Sequence, residues 1–299
     1  MKILDFGSCN IDYVYDVEHI VQPGETLVAN KLSKFPGGKG LNQAIAISKA
    51  NAQVFFAGCI GEDDNMLRHT LEQAGVDIHH LHTVKESTGQ AIIQVDKNGE
   101  NSIVIYRGAN GAVTVEYIDQ VLKQFDSGDI LLLQNEISNL IYLIKKAAEK
   151  GMKIILNPSP FEEQLKKIDL RDLYCVMLNE TEAMQWIGTK NANDFLVWAQ
   201  KEYPNLQVVL TLGKEGSVLL RNGEVYKQKA FSVPAVDTTA AGDTFTGYFV
   251  AGLCRGMDTS EVLRRASAAS AIAVSRKGAA SSIPTYDEVD TLIDSLAFA

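Results

Sequence analysis

Asp243 is the residue whose setting most invites a chemical reading. It follows a run of small residues, Val236-Asp237-Thr238-Thr239-Ala240-Ala241-Gly242, and sits where an apolar-periodic helix begins. Small residues let a chain turn tightly and expose its N–H groups. At a helix start those groups point along the positive end of the dipole, so the loop can hold an anion such as a phosphate. A carboxylate there has two readings. It is a helix-cap or first-turn acid, which is common, or it is a general base beside a bound phosphate. The stretch alone favours the cap. The apolar run Phe231 to Val236 predicts a strand leading into it.

Two further groups could do chemistry. Asn10 and Asp12 lie two apart, so on an extended chain they face the same side. An amide and a carboxylate so placed could read vicinal sugar hydroxyls, or they are simply a pair of turn residues. In Phe35-Pro36-Gly37-Gly38-Lys39-Gly40-Leu41-Asn42-Gln43-Ala44, glycines again precede a helix, whose apolar stripe is Leu41, Ala44 and Ile45. It is not a Walker A loop, because Gly40 follows the lysine where Ser or Thr is required. Cys9, Cys59, Cys175 and Cys254 are far apart with no CxxC pair, which predicts reduced thiols and no zinc site.

The elements that must position these residues alternate. Strand-like runs at 1–8, 52–61, 129–135, 153–156, 174–178 and 207–212 are separated by helical patterns starting at Leu41, at 65–75, 114–125 and 139–150, after Asn179-Glu182, and at 192–202. Helices at 243–255, 260–274 and 287–297 close the chain. Near-continuous apolar strands with intervening helices predict a parallel sheet covered on both faces. Ligands in such sheets bind at the carboxyl ends of the strands. Ser8-Asn10, Glu136, Asn179-Glu182, Thr211-Gly213 and Asp237-Asp243 all fall at such ends, which argues for one site. Two segments break the alternation. One is 9–35, with a turn at Pro23-Gly24-Glu25-Thr26. The other is the hairpin 89–106, with a turn at Lys97-Asn98-Gly99-Glu100. They are expected to pair as a small separate sheet, either a lid or a dimer contact.

Composition narrows the class. The chain has 299 residues, 46% hydrophobic and 22% charged, with 28 basic and 37 acidic residues for a net charge of −9. Those values fit a globular protein and argue against a nucleic-acid surface. No apolar run reaches the roughly 20 residues that span a membrane. With no signal-peptide pattern at the N-terminus, a cytoplasmic location is expected.

Gly37-Gly38-Lys39-Gly40-Leu41-Asn42-Gln43-Ala44 and Asp237-Thr238-Thr239-Ala240-Ala241-Gly242-Asp243 together resemble the two signatures of the ribokinase-like (PfkB) carbohydrate kinases. The likeness extends to Gly7-Ser8-Cys9-Asn10-Ile11-Asp12, Pro23-Gly24-Glu25-Thr26, Asn157-Pro158, Asn179-Glu180-Thr181-Glu182 and Arg276-Lys277-Gly278-Ala279. It implies an α/β fold in one domain over 1–299: a central, mostly parallel sheet with helices on both faces and a β-lid from about 10–35 and 88–107. It implies ATP-dependent phosphorylation of a sugar primary hydroxyl, D-ribose to D-ribose 5-phosphate being the expected reaction. A fructokinase or another pentose, ketose or nucleoside kinase is the alternative within the family. A non-catalytic sugar-sensing protein on the same fold is the alternative outside it.

By the same resemblance, Asp243 is the base, with Ala241, Gly242 and Asp243 forming the anion hole. Asn10, Asp12, Gly38, Lys39, Asn42 and Glu136 contact the sugar. Asn179 contacts nucleotide phosphate, Thr211, Leu212, Gly213, Lys214, Glu215 and Gly216 form the ATP loop, and Glu182 serves Mg²⁺ through water. Asp237, Thr239, Ala273, Arg276, Gly278 and Ser282 form a site for K⁺. The partners are a sugar and ATP, with a homodimer through the β-lid. Leu41 departs from the family's usual Ala and is expected to add bulk beside the sugar cradle.

Overall fold

The computed structural model describes residues 1–62 and 65–297, with side chains to 295. Nine strands form the main sheet, in the order β13-β12-β11-β10-β9-β8-β1-β4-β5. Its parallel strands are β1 (Ile3–Phe6), β4 (Val54–Gly61), β5 (Asp77–Val84), β8 (Ile130–Gln134), β9 (Lys153–Asn157), β10 (Cys175–Asn179) and β11 (Gln207–Thr211). The antiparallel hairpin β12 (Ser217–Arg221) and β13 (Glu224–Gln228) closes one edge.

Neighbouring residues along a strand supply opposite cores. Ile3, Ile130, Leu132 and Ile155 face α1 (Lys39–Lys49), α2 (Asn65–Gln73), α7 (Ala241–Cys254), α8 (Thr259–Val274) and α9 (Tyr286–Ala297). Leu4, Leu131, Leu133, Ile154 and Leu156 face α3 (Val115–Leu122), α4 (Leu140–Glu149), α5 (Glu180–Ile187) and α6 (Asn193–Glu202). This is why the strands read as unbroken apolar runs: both faces are covered.

The two interrupting segments do pair. β2 (Asn10–Asp16), β3 (Lys31–Gly37), β6 (Gly89–Val95) and β7 (Asn101–Tyr106) form a four-stranded sheet in the order β3-β2-β6-β7. Asn10 pairs with both Gly37 and Gly89. The small sheet therefore springs from the carboxyl end of β1, and β3 runs straight into α1.

Two local expectations need correction. Phe231 to Val236 is not a strand. Pro234 has no N–H to give a ladder, and the N–H groups of Val236 and Asp237 donate instead to Val274 O, at 2.9 and 3.1 Å. β5 is a strand that the sequence did not suggest. Its run, Asp-Ile-His-His-Leu-His-Thr-Val, is polar because it is a sheet edge with mostly half-buried or exposed positions.

Candidate active site

The glycine-rich loop is shaped by its approach to β1. Gly38 has a φ of +96° and precedes the first residue of α1. A Cβ on Gly40 would lie 2.5 Å from Ser8 N and 2.7 Å from Gly7 C, so the loop packs backbone to backbone against the end of β1. That contact sets Lys39, Asn42 and Gln43 on the first turn of α1, beside the strand that carries Asn10 and Asp12. Leu41 does not add bulk to the cradle. Its side chain is fully buried in the core beneath α1, on the same stripe as Ala44 and Ile45.

Helix α7 meets α1 closely. A Cβ on Gly247 would fall 2.3 Å from Ala46 Cβ and 2.8 Å from Gln43 O. Asp243 is one turn before Gly247, and Asn42 and Gln43 are about one turn before Ala46. The packing therefore places Asn42 Nδ2 3.0 Å from Asp243 Oδ2 and Gln43 Nε2 2.9 Å from Asp243 Oδ1. The carboxylate is clamped through both oxygens. It lies in the first turn of α7, after Ala240 in the left-handed conformation at φ +57°. The Ala241 N–H turns back to Thr238 O at 3.2 Å. A Cβ on Gly242 would meet nothing within 4 Å, so there is open space above the positive end of the helix.

On one side of Asp243 are the residues expected to hold sugar. Glu136 accepts from the Ser8 hydroxyl and from the Lys39 N–H, the latter at 3.2 Å. Asn10 is buried, and its Oδ1 accepts from Asn110 Nδ2 at 2.8 Å, so its own Nδ2 is the end left for a ligand. Asn110 also clamps Cys9 through the backbone N–H and C=O, at 3.0 and 3.1 Å. Burial raises the Asp12 carboxyl to about 7, helped by the charges of Glu136 and Asp243 and opposed by Lys39. For the Lys39 ammonium, burial is the largest influence and would lower its pKa. Asp243, Glu136, Glu182 and Asp12 together outweigh it, and the pKa is raised.

On the other side is a cleft of about 950 Å³ lined by Lys39, Asn179, Glu182, Thr211, Gly242 and Asp243, among others. Gly213, Lys214 and Gly216 line it too, whereas Leu212 and Glu215 do not. Asn179 caps α5 in a reciprocal box: Glu182 N donates to Asn179 Oδ1 at 2.9 Å, and Asn179 N donates to Glu182 Oε2 at 3.0 Å. Glu182 is thereby held buried at the cleft wall. Lys39 and Asp243 stand where the two compartments meet.

The residues expected to hold a monovalent cation gather behind the α7 turn. Asp237 accepts from Thr239 N and Gly278 N, both at 2.9 Å. Ser282 bonds to Ala279 O through its N–H at 3.1 Å and its hydroxyl at 2.8 Å, and Ala273 is buried. The Arg276 side chain does not join them. It pairs with Glu288 at 2.6 Å. Among the described residues no cluster of three or more His, Cys, Asp or Glu could hold a metal.

Sequence reasoning missed Asn110, Gln43 and Gln134 as contributors, and it placed Ser8 at the site without giving it a role. Gln43 lay inside the glycine-loop signature and could have been found there. Asn110 sits in a short 3₁₀ helix, Gly108–Ala112, just after the hairpin 89–106, and nothing local marks it.

Known proteins share this sequence and this fold. Over 295 residues the chain is 39% identical to the ribokinase of Haemophilus influenzae, covering 94% of this chain and 95% of that one. Ribokinase from Cryptococcus neoformans in complex with ADP superposes with a TM-score of 0.87 at 34% identity, over 97% of this chain and 99% of that one. Arabidopsis thaliana ribokinase complexed with ribose and ATP gives 0.85 at 30% identity, over 98% of each chain. Residues 2–286, from β1 through the Asp243 turn to the start of α9, match the pfkB family carbohydrate kinases, and the chain belongs to that family.

Proposed function

We propose that the protein transfers the γ-phosphoryl group of ATP to the primary hydroxyl of D-ribose, giving D-ribose 5-phosphate. The observation that carries this is the placement of Asp243. Its carboxylate is held by two side-chain donors beside the Asn10–Asp12–Glu136 group and an open space at a helix start. The relatives named ribokinase, one of them seen with ribose and ATP, support the choice of sugar.

In this reading the Asn10 amide donates to a sugar hydroxyl, while Asp12 and Glu136 accept from others. Asn42 and Gln43 keep Asp243 aimed at the reacting hydroxyl, whose proton it takes. Phosphoryl transfer needs alignment and charge neutralisation more than covalent chemistry. The Ala241 N–H, expected in the anion hole, is taken by Thr238 O, so the Gly242 and Asp243 N–H groups and the Lys39 ammonium face the transferring group. Thr211, Gly213, Lys214 and Gly216 seat the nucleotide.

Mg²⁺ and K⁺ belong to the proposal. The carboxylate of Glu182 at the cleft wall fits a Mg²⁺ that nucleotide phosphates and water mainly hold, and such an ion would neutralise phosphate charge. The oxygens of Asp237 and the 273–282 backbone fit a monovalent cation behind the anion hole. Replacing K⁺ by Na⁺ is expected to slow turnover, and equal rates in both would remove that site. The small sheet acts as a lid that excludes water, which would otherwise compete for ATP. Ile103, Val104, Ile105 and Tyr106 on its edge strand β7 are exposed at 48–66%, and a homodimer through the lid would cover them. The four cysteines, three of them buried and none in a disulfide, suit a reducing compartment such as the cytoplasm.

The test is ADP release with ribose, deoxyribose, fructose, tagatose and adenosine. Ribose should turn over fastest, and a preference for fructose or adenosine would move the protein elsewhere in the family. Asp243→Asn should lower kcat by roughly 10²–10⁴-fold with sugar binding kept. Unchanged turnover would refute the base assignment.

A further inference from the structure

One titratable group in the centre of the main sheet has no part in the reaction so far. Asp5 is fully buried on β1, between Phe56 of β4 and Leu132 of β8. Strand alternation puts it on the same face as Ile3, which is the face covered by α1 and α7. A carboxyl in that setting is expensive unless something uses it. Among the described residues its one side-chain partner is Gln134, whose Nε2 donates to Asp5 Oδ1 at 3.0 Å and to Gln43 Oε1 at 2.8 Å. Gln43 Nε2 then donates to Asp243 Oδ1 at 2.9 Å. A continuous line of amides joins the buried acid to the carboxylate proposed as base.

We propose that Asp5 is a positioning residue for Asp243, acting through Gln134 and Gln43. The reason lies in amide orientation. A glutamine side chain can present oxygen or nitrogen at either position, and only the nitrogen of Gln43 serves a carboxylate. Gln43 keeps its nitrogen toward Asp243 because its oxygen is occupied by Gln134 Nε2. Gln134 keeps its nitrogen inward because Asp5 accepts the second N–H. Removing that acceptor leaves Gln134 free to turn its oxygen toward Gln43, which drives Gln43 to present oxygen to Asp243.

Asp5 works here as a neutral acid. Burial, the largest influence, holds its carboxyl well above the usual carboxylate range. The Gln134 hydrogen bond opposes this and the Asp243 charge adds to it. Asp5 Oδ2 and Gln134 Oε1 are both buried without a hydrogen-bond partner. A proton on Asp5 makes its buried Oδ2 a donor in a setting where a bare carboxylate oxygen has no partner.

This inference rests on Asp243 as base, and the experiment separates the two. Asp5→Leu, Asp5→Asn and Asp243→Asn are compared by ADP release with ATP and the best sugar of the panel. Asp5→Leu should lower kcat roughly tenfold, the loss of one hydrogen bond to a charged group, with KM for both substrates unchanged. Asp5→Asn, which imitates the neutral acid, should retain wild-type kcat. The infrared difference between wild type and Asp5→Asn at neutral pH should show the carbonyl band of a protonated carboxylic acid. Wild-type kcat in Asp5→Leu, with Asp243→Asn inactive, overturns the positioning role alone. Full turnover in Asp243→Asn overturns both readings. If Asp5→Leu does not fold, the other two measurements still decide. A carboxylate band, or an Asp5→Asn variant with depressed kcat, overturns the proposal.

Discussion

Asp12, Glu136 and Asp243 surround one cation, Lys39, and that crowding makes Asp12 sensitive to pH. Its carboxyl is raised from an ordinary 3.8 to about 7, chiefly by burial. A raised pKa means the folded state holds the proton more tightly than the unfolded chain. The stability this confers is complete below about pH 3.8 and is lost as pH rises through about 7. Asp5 contributes with the same sign. The melting temperature of Asp12→Asn should therefore gain on that of wild type as pH rises towards 7 in the absence of sugar, and level off above it. Thermal denaturation across that range checks this, and a constant difference would contradict it. The carboxylates themselves were visible in the sequence. Their mutual perturbation was not, because it arises between strands and helices far apart in the chain.

The decisive contact between elements is α1 on α7. Gly247 permits it, and the size of the opposing effects shows what its loss would do. Glycine to alanine in a helix interior gains up to about 1 kcal/mol of helix propensity. Here the new methyl would stand 2.3 Å from Ala46 Cβ, and overpacking of this kind costs about 1–3 kcal/mol. Packing wins on balance. Gly247→Ala should melt a few degrees lower and lose kcat, because separated helices draw Asn42 and Gln43 away from Asp243. A melt above wild type with full activity would show that the helices tolerate the methyl. Helices and strands at this scale were largely legible from apolar periodicity. The failures were local: the apolar run before Asp237 lines a cleft instead of a ladder, and β5 hides its pairing behind three histidines at a sheet edge.

For the whole molecule, the question is what covers the outer edge of the small sheet. Strand β7 exposes Val104 at 66%, with apolar neighbours on either side. Val104→Lys should shift the protein to monomer by light scattering while its fold persists. A wild-type monomer would exclude the proposed dimer.

The sequence by itself determined the family, the alternation of strand and helix, and the two glycine-rich turns. These are local signals: residue type, spacing and order. Through the resemblance it also marked Asn10, Asp12, Lys39, Asn42, Glu136 and Asp243, whose positions alone left a cap or turn as the better reading. Tertiary structure decided how they act together. It turned Leu41 into the core, turned the Arg276 side chain to Glu288, fixed the Asn10 amide through Asn110, and linked Asp243 to Asp5 through two glutamines. Which atom faces which across β1, α1, β8 and α7 depends on helix spacing and strand register, and those distances exist only once the layers have packed.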